Sequence, residues 1–256
     1  MKTQHDISKN QYSDKSQHYL ESSVHAQGIE FQKIVEEISG FAESKIDVLD
    51  LGCGGGHVSY QLAPYVNTIV AYDLSSEMLD TVKQTARDRN LSNISLQQGT
   101  AEHLPFADHH FDLVVSRYSA HHWQHVGQAL QEVHRVLKPN GKLILIDILG
   151  SDIPMFDTFL QSIEFIRDPS HVRDYSLSEW TNLCEYTNFD IARIEQQKLA
   201  LDFQAWVRRM DTAPEQIQTL HFLQQHVADN VKQYFAIQPD GSFSSHVVYL
   251  VATRLS

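Results

Sequence analysis

The sequence predicts an α/β protein built on a doubly wound, mostly parallel sheet with helices on both faces. Three observations lead to this fold class. From Ile46 onward, short β-branched apolar runs alternate with longer segments of helical period. A glycine-rich turn joins the first run to a helix, as in nucleotide-binding α/β proteins. The chain has 256 residues, 42% of them hydrophobic, which suits one domain or one domain with an elaboration.

Six segments carry the strand pattern and are bounded by turn-forming residues. They are Asp47–Leu51, Thr68–Tyr72, Ile94–Gln97, Asp112–Ser116, Lys142–Ile148 and Phe243–Thr253. Because ligands of open parallel sheets bind beyond the carboxyl ends of the strands, we expect the functional residues to follow these segments.

Two helices between these strands are legible from their apolar spacing. Ser75–Arg89 begins at a serine cap and places Met78 and Val82 on one face. Val126–Leu137 has the same pattern and ends at the helix stop and turn Lys-Pro-Asn-Gly.

The regular alternation breaks after Gly150. A helix-like stretch over Met155–Asp168 stops at Pro169, and two further helical stretches lie within residues 203–235, separated by Pro214. These segments predict a helical insertion or cap.

Composition restricts the partners and the compartment. The formal net charge of −12 leaves no broad basic surface, so we expect a small-molecule partner and no nucleic acid. The two cysteines, Cys53 and Cys184, lie outside any CxxC spacing, which favours a reducing, cytoplasmic location over a disulfide framework. The polar first residues lack a signal-peptide core, and no apolar segment predicts stable membrane insertion. The oligomeric state stays open.

The stretch VLDLGCGGGHVS, residues 48–59, places glycines between a strand and a helix, where backbone N–H groups can meet a ligand. Asp50 begins its DxGxGxG pattern. A dinucleotide fingerprint would require glycine at position 57, where this chain has His57, so nicotinamide binding is disfavoured. The acidic residue suits a ligand that carries an ammonium group better than one that carries a pyrophosphate.

Two further elements indicate a nucleoside. Asp73 ends the second strand, 17 residues past Gly56, where a carboxylate can accept hydrogen bonds from both ribose hydroxyls. The stretch QGTAEHLPF, residues 98–106, follows the third strand and can close over a base. A tight strand-to-helix turn alone can require glycine for structural reasons, but three elements at successive strand ends favour a binding site.

These motifs resemble class I S-adenosylmethionine-dependent methyltransferases of the UbiE-related group (type 11), close to its YcgJ/YafE-like bacterial members. The resemblance covers nearly the whole chain, including EVHRVLKPNGKLIL and RDPSHVRDYSLSEW. It implies a seven-stranded Rossmann-like sheet whose last strand is antiparallel, and S-adenosyl-L-methionine as cofactor. One domain over 1–256 is then divided into an N-terminal helical lid (1–45), a cofactor-binding half (46–150) and a substrate-side half with helical insertions (151–256).

The resemblance also implies which residues bind the cofactor. Gly52 and Gly54 would hold the methionine part and Asp73 the ribose. Many relatives have aspartate at position 100, whereas the Thr100 hydroxyl would accept the adenine hydrogen bond without charge assistance. The full predicted set is Tyr19, Asp50, Gly52, Cys53, Gly54, Asp73, Leu74, Met78, Thr100, Ala101, Glu102, Ser116 and Tyr118. For Tyr19, packing of an amphipathic helix on the sheet is an equal alternative.

Adjacent histidines follow the fourth strand in SRYSAHHW. We predict His121 as a general base facing the methyl acceptor, since histidine titrates near neutrality. Adjacent side chains diverge, so His122 would serve the fold or contact substrate. A metal site using His121 and His125 lacks a third ligand, and no metal is predicted.

The remaining substrate-binding candidates are Tyr12, His171, Arg173 and Arg209. The arginines could hold an anionic substrate, or they could pair with neighbouring aspartates. The predicted function is methyl transfer to a small molecule by in-line displacement, with an aromatic, quinone-like or carboxylate-bearing acceptor left open. A binding module without turnover and a dehydrogenase are the alternatives.

Overall fold

The computed structural model describes residues 2–12, 29–41 and 45–256, and it contains a seven-stranded sheet with helices on both faces. The strands are β1 (Asp47–Leu51), β2 (Thr68–Asp73), β3 (Ile94–Gln98), β4 (Phe111–Arg117), β5 (Leu137–Leu149), β6 (Phe189–Leu201) and β7 (Phe243–Arg254). The α-helices are α1 (Gln4–Tyr12), α2 (Ile29–Ser39), α3 (His57–Leu62), α4 (Ser76–Asp88), α5 (Val126–Val136), α6 (Pro154–Arg167), α7 (Leu177–Tyr186), α8 (Phe203–Arg208), α9 (Pro214–His226) and α10 (Asp229–Tyr234). Short 3₁₀ helices cover Ala63–Tyr65 and Ala120–His122.

The strand order is β3-β2-β1-β4-β5-β7-β6. Strands β2 and β3 are therefore added on one side of β1, and the strands from β4 onward are added on its other side. β1 pairs in parallel with both neighbours, whereas β7 runs antiparallel to β5 and β6. The predicted doubly wound, mostly parallel sheet with an antiparallel last strand is confirmed. The switch between β1 and β4 opens a crevice at the carboxyl ends of these strands.

The apolar core lies on both faces of the central strands. Val48 and Leu49 of β1 are both fully buried although their side chains point to opposite faces. One face packs against α5 through Leu130 and Val133, and the other packs against α2 through Ile34. Burial on both faces explains why these strands are continuous apolar runs rather than alternating ones.

The sequence predicted the start of α4 correctly, but the turn predicted after α5 has a different form. The Ser75 hydroxyl accepts a hydrogen bond from the Met78 N–H (3.2 Å), which caps α4 at the predicted residue. Residues 138–141 lie within β5 rather than in a separate turn, but Asn140 has φ 63° and the pairing with β4 shifts register there. The predicted turn is therefore a bulge that interrupts one long strand.

The second half differs most from the prediction. β6, an edge strand with 13 residues, was not predicted, because its polar and apolar residues do not alternate regularly and only its two end residues are fully buried. Residues 203–235 form three helices instead of two, and Pro214 starts α9, as a proline at the first helical position can. Over the ranges given above, no helix is long and apolar enough to cross a bilayer.

The N-terminal candidates are only partly covered. Tyr19 lies outside the described residues, and only the backbone of Tyr12, at the end of α1, is described. The division into lid, cofactor half and substrate half stays a prediction.

Candidate functional site

A cleft opens at the carboxyl ends of β1, β2 and β4 and encloses about 800 Å³, including space open to solvent. Its volume suits a nucleoside-sized ligand. It is lined by His5, Ser8, Lys9, Leu51, Gly52, Gly54, Tyr72, Asp73, Leu74, Ser75, Met78, Gly99, Thr100, Ala101, Glu102, Tyr118, Ser119, His122 and Trp123.

The glycine loop forms one wall of the cleft, and its backbone is left-handed at Gly52 and Gly54. Gly52 has φ 73°, and a Cβ there would lie 1.8 Å from the Ser119 hydroxyl oxygen. Gly54 has φ 48° and faces open space. Only glycine allows both the conformation and the close approach of a ligand to this backbone.

Asp50 lies behind this loop and does not line the cleft. Its carboxylate accepts hydrogen bonds from the Ser59 N–H (3.0 Å) and hydroxyl (2.6 Å), so it ties the first turn of α3 to the end of β1. Burial raises the Asp50 pKa to about 7, although the Ser59 bonds oppose this. Cys53 and Ser116, which are also buried, are absent from the cleft lining.

Asp73 is held at the cleft in a fixed orientation. Its two oxygens accept hydrogen bonds from the Gly54 N–H (2.8 Å) and the Ser75 N–H (2.9 Å). Burial raises its pKa, and these two bonds partly counteract that effect. The carboxyl therefore joins the glycine loop to the start of α4 and presents its remaining lone pairs to the cleft.

Leu74, Met78, Thr100, Ala101 and Glu102 line the far end of the cleft. Glu102 is 5% exposed and accepts a hydrogen bond from the His125 N–H (3.1 Å). The Tyr72 hydroxyl lies 3.0 Å from the Thr100 carbonyl oxygen and supports this loop from below. These five predicted residues meet around one volume, although they come from two different strand ends.

Helix α1 closes one side of the cleft with His5, Ser8 and Lys9, none of which was predicted from the sequence. His5 Nε2 lies 3.3 Å from a Glu102 oxygen, and the Gln4 amide donates to the Ser170 carbonyl (2.7 Å). Isolated polar residues in a polar helix carry no signal of this role.

The adjacent histidines diverge. His122 lines the cleft, and its Nδ1 lies 3.1 Å from the Ser170 carbonyl oxygen. His121 faces a second cavity, which we call the chamber, and its Nδ1 lies 2.5 Å from an Asp147 oxygen. The Asp147 carboxylate also accepts a hydrogen bond from the His121 backbone N–H (3.1 Å), which fixes the ring from two sides.

The two rings have opposite protonation properties. Burial opposes charge on His121, but the charge and hydrogen bond of Asp147 outweigh it and raise the His121 pKa to about 9. Burial, aided by repulsion from His121, lowers the His122 pKa to about 4. At neutral pH, His121 therefore carries a proton on both nitrogens and His122 is neutral.

The chamber is lined by Tyr118, His121, Ile148, Glu164, Arg167, Asp174, Leu199, Leu201, Trp206 and Arg209. Tyr118, which has φ 53°, lines the cleft as well and separates the two cavities. The chamber thus has apolar walls from β5, β6 and α8, and a polar end from α6 and the segment that follows it.

The remaining substrate candidates are divided. Arg209 lines the chamber. His171 is buried beside it and lies 2.9 Å from the Gln161 oxygen, and burial lowers its pKa to about 2. Arg173 lines neither cavity, because it hydrogen-bonds Glu179 (2.8 Å) and Asp157 (3.2 Å), so the alternative of carboxylate pairing describes it.

Sequence reasoning missed the acidic residues that line the chamber or contact its lining. Asp147 stands in the apolar strand LILIDIL, and a charge in a buried strand was the available signal. Asp174 and Glu164 carried no comparable signal, because charged residues in an insertion are usually solvated.

Comparison with known proteins agrees with this architecture. Residues 49–145 match the family model described as a methyltransferase domain. The uncharacterized protein YafE of Escherichia coli is 45% identical over 203 residues, covering 79% of this chain and 98% of the relative. The uncharacterized methyltransferase YcgJ of Bacillus subtilis is 33% identical over 226 residues, 88% of each chain. Its crystal structure superposes with a TM-score of 0.84 at 30% identity, over 88% of this chain and 98% of that one. UbiE of Shewanella oneidensis is 36% identical over 115 residues, 43% of this chain and 45% of the relative.

Proposed function

The chain belongs to the S-adenosylmethionine-dependent methyltransferases, and from this premise we propose that it methylates a small molecule held in the chamber. S-adenosyl-L-methionine is its cofactor. The observation that supports the proposal is the contact between cleft and chamber: Tyr118 lines both, and the adjacent His122 and His121 line one each. A donor in the cleft and an acceptor in the chamber would meet at this boundary.

The cleft residues fit the cofactor. The Asp73 carboxyl, held by two backbone N–H groups, would accept hydrogen bonds from the ribose hydroxyls. The open backbone at Gly54 would admit the methionine part, and Thr100 and Glu102 would contact the adenine end. When bound, the cofactor supplies an electrophilic methyl group on a positively charged sulfur.

The chamber supports alignment and water exclusion, which are the main requirements of a methyl displacement. Its walls at Trp206 and Leu201 are buried, at 1% and 5% exposure. Buried apolar walls on one side of the chamber orient an aromatic or aliphatic acceptor and keep competing water away.

His121 is the proposed base for an acceptor that carries a proton. In its neutral form, Nε2 would take the acceptor's proton, while Asp147 stabilises the resulting imidazolium through Nδ1. Because the His121 pKa is about 9, the reactive neutral form grows as pH rises towards that value.

The protein's net charge of −12 supports a small-molecule acceptor rather than a nucleic acid. The two cysteines are buried and free, which supports the proposed cytoplasmic location.

The test is methyl transfer from cofactor labelled on the methyl group, using fractionated small-molecule extracts as acceptors. We expect label in an extractable product together with S-adenosylhomocysteine in equal amount. Tight cofactor binding without labelled product from any fraction would contradict the proposal and favour the binding module.

A further inference from the structure

Two of the described acidic side chains, Glu164 and Asp174, line the chamber. A third, Asp147, pairs with the lining residue His121, and a Glu164 oxygen lies 3.5 Å from the Arg167 guanidinium. Asp174 is 1% exposed, yet within residues 2–12, 29–41 and 45–256 neither of its carboxyl oxygens has a hydrogen-bond partner. A buried polar group without a partner is destabilising, so this bare carboxyl requires an explanation.

Neighbouring side chains do not supply the missing bond. His171 Nε2 lies 3.9 Å from an Asp174 carboxyl oxygen but only 2.9 Å from the Gln161 side-chain oxygen Oε1. Burial keeps His171 neutral at ordinary pH, so its ring has one N–H, and that N–H donates to Gln161.

The Asp174 backbone is also held in place. Its N–H donates to the Gln161 side-chain oxygen (3.0 Å), and its carbonyl accepts from the Gln161 amide (2.7 Å). A Cβ at Gly150 would lie 2.2 Å from that carbonyl oxygen, so the strand end packs directly against it. These contacts fix the Asp174 backbone at the chamber, which this residue lines.

We propose that Asp174 anchors the acceptor by binding a hydrogen-bond donor, an amine or a hydroxyl, on a molecule that is otherwise apolar. This inference rests on the proposed function and names its substrate class. Trp206, Leu199 and Leu201 supply the apolar surface on the other side of the chamber.

A carboxylate at this position is disfavoured. Burial first, and then the negative charge of Glu164, raise the Asp174 pKa well above its usual range. A bound ammonium group lowers this pKa again and forms an ion pair with the ionised carboxyl, whereas a bound carboxylate adds a further negative charge beside Glu164 and Asp174.

The test uses three fragments of the same shape: benzylamine, benzyl alcohol and benzoate. Binding of S-adenosylhomocysteine is titrated first, because its failure would count against the proposed function and not against this inference. Each fragment is then titrated by ligand-detected NMR into protein saturated with S-adenosylhomocysteine, near neutral pH. We expect benzylamine and benzyl alcohol to bind at least about tenfold more tightly than benzoate.

Asp174→Asn separates charge from hydrogen-bond acceptance. It should weaken benzylamine about tenfold and change benzyl alcohol less than about threefold, because the amide oxygen still accepts a hydrogen bond. Asp190→Asn is the control, since Asp190 is exposed at the opposite end of β6.

Three results would overturn the inference. Benzoate binds as tightly as the other two fragments or more tightly, Asp174→Asn keeps the wild-type ratio of benzylamine to benzoate affinity, or none of the three fragments binds. A lower melting temperature of Asp174→Asn would also overturn it, because it would mean that the carboxyl stabilises the fold through a partner within the protein.

Discussion

At the scale of single residues, the proposed chemistry depends on which carboxylate lies next to each histidine ring. His121 and His122 are neighbours in sequence, with ring centroids 4.1 Å apart, yet one pKa is raised to about 9 and the other lowered to about 4. Burial alone would lower both. Asp147 lies 2.5 Å from the His121 ring, and this contact makes the difference.

The first prediction concerns Asp73. Asp73→Asn replaces one acceptor oxygen by a donor and should weaken S-adenosylhomocysteine binding about 10- to 100-fold, the usual cost of a lost charge-assisted bond. Calorimetry measures this, with Asp80→Asn on the exposed face of α4 as control. Wild-type affinity in a folded Asp73→Asn protein would exclude Asp73 from the cofactor site.

The second prediction concerns pH. With a proton-bearing acceptor, kcat of the wild type should rise with pH towards about 9, as His121 loses its proton. Asp147→Asn removes the charge that holds this proton, so the rise should move to lower pH. His121→Gln should lower kcat about 100-fold or more, since positioned bases contribute about that much.

His125→Gln is the matched control, because its side chain is exposed. If kcat instead falls as pH rises through about 9, the protonated form of His121 is the active one, and the assignment as base is wrong.

At the scale of elements, the segment between α6 and α7 is held by polar contacts to the site. The His121 carbonyl accepts hydrogen bonds from the Val172 N–H (2.8 Å) and the Arg173 N–H (3.2 Å). Gln161 of α6 binds both His171 and the Asp174 backbone. The insertion therefore positions both the proposed base and the proposed anchor.

The third prediction tests this element by its proton linkage. His171 has a folded pKa of about 2, below an unfolded value of about 6.5, so the unfolded chain binds the extra proton between these values. His171 thus makes the protein lose stability as pH falls below about 6.5. His171→Gln should reduce this loss by up to about 1.4 kcal/mol per pH unit.

Denaturant unfolding of both proteins from pH 6.5 down to about 4 measures the difference in slope. If the free energy of unfolding falls with pH at the same rate in both proteins, the prediction is wrong. His171 would then take up its proton in the folded state as readily as in the unfolded one.

At the scale of the whole molecule, the strand order creates the site. β1 and β4 are neighbours in the sheet, although about 60 residues separate them in the sequence. Strands β2 and β3 lie on one side of β1 and the later strands on the other, so the loops after β1 and β4 diverge and leave a crevice at the carboxyl ends of both strands. The antiparallel β7 lies between β5 and β6, which brings Leu199 and Leu201 of β6 to the chamber.

The fourth prediction follows from ligand selectivity of the folded state. S-adenosylmethionine at about 100 times its Kd should add about 2.7 kcal/mol to the free energy of unfolding, and NAD at the same concentration should add none. A thermal-shift series with both ligands measures this. A shift with NAD of the same size would revive the dehydrogenase alternative that His57 disfavours.

The sequence by itself determined the fold class, the central strands and the capped helix α4, which follow from local periodicity and capping. It also indicated the glycine loop and Asp73 through glycine conformation and the rule that ligands collect at strand ends. The other predicted cleft residues were implied by the resemblance to the methyltransferase family. Predicted cleft residues such as Gly54, Asp73 and Thr100 all line one volume.

Only the tertiary structure decided the contacts between distant segments. The pairing of His121 with Asp147, the covering of the cleft by α1 and the bare carboxyl of Asp174 join residues that no spacing relates. β6 was not predicted for a different reason: a strand at the edge of a sheet does not require a regular alternation of apolar and polar residues. Side-chain pKa values depend on burial and on charges within a few ångströms, and those distances exist only once the chain is folded.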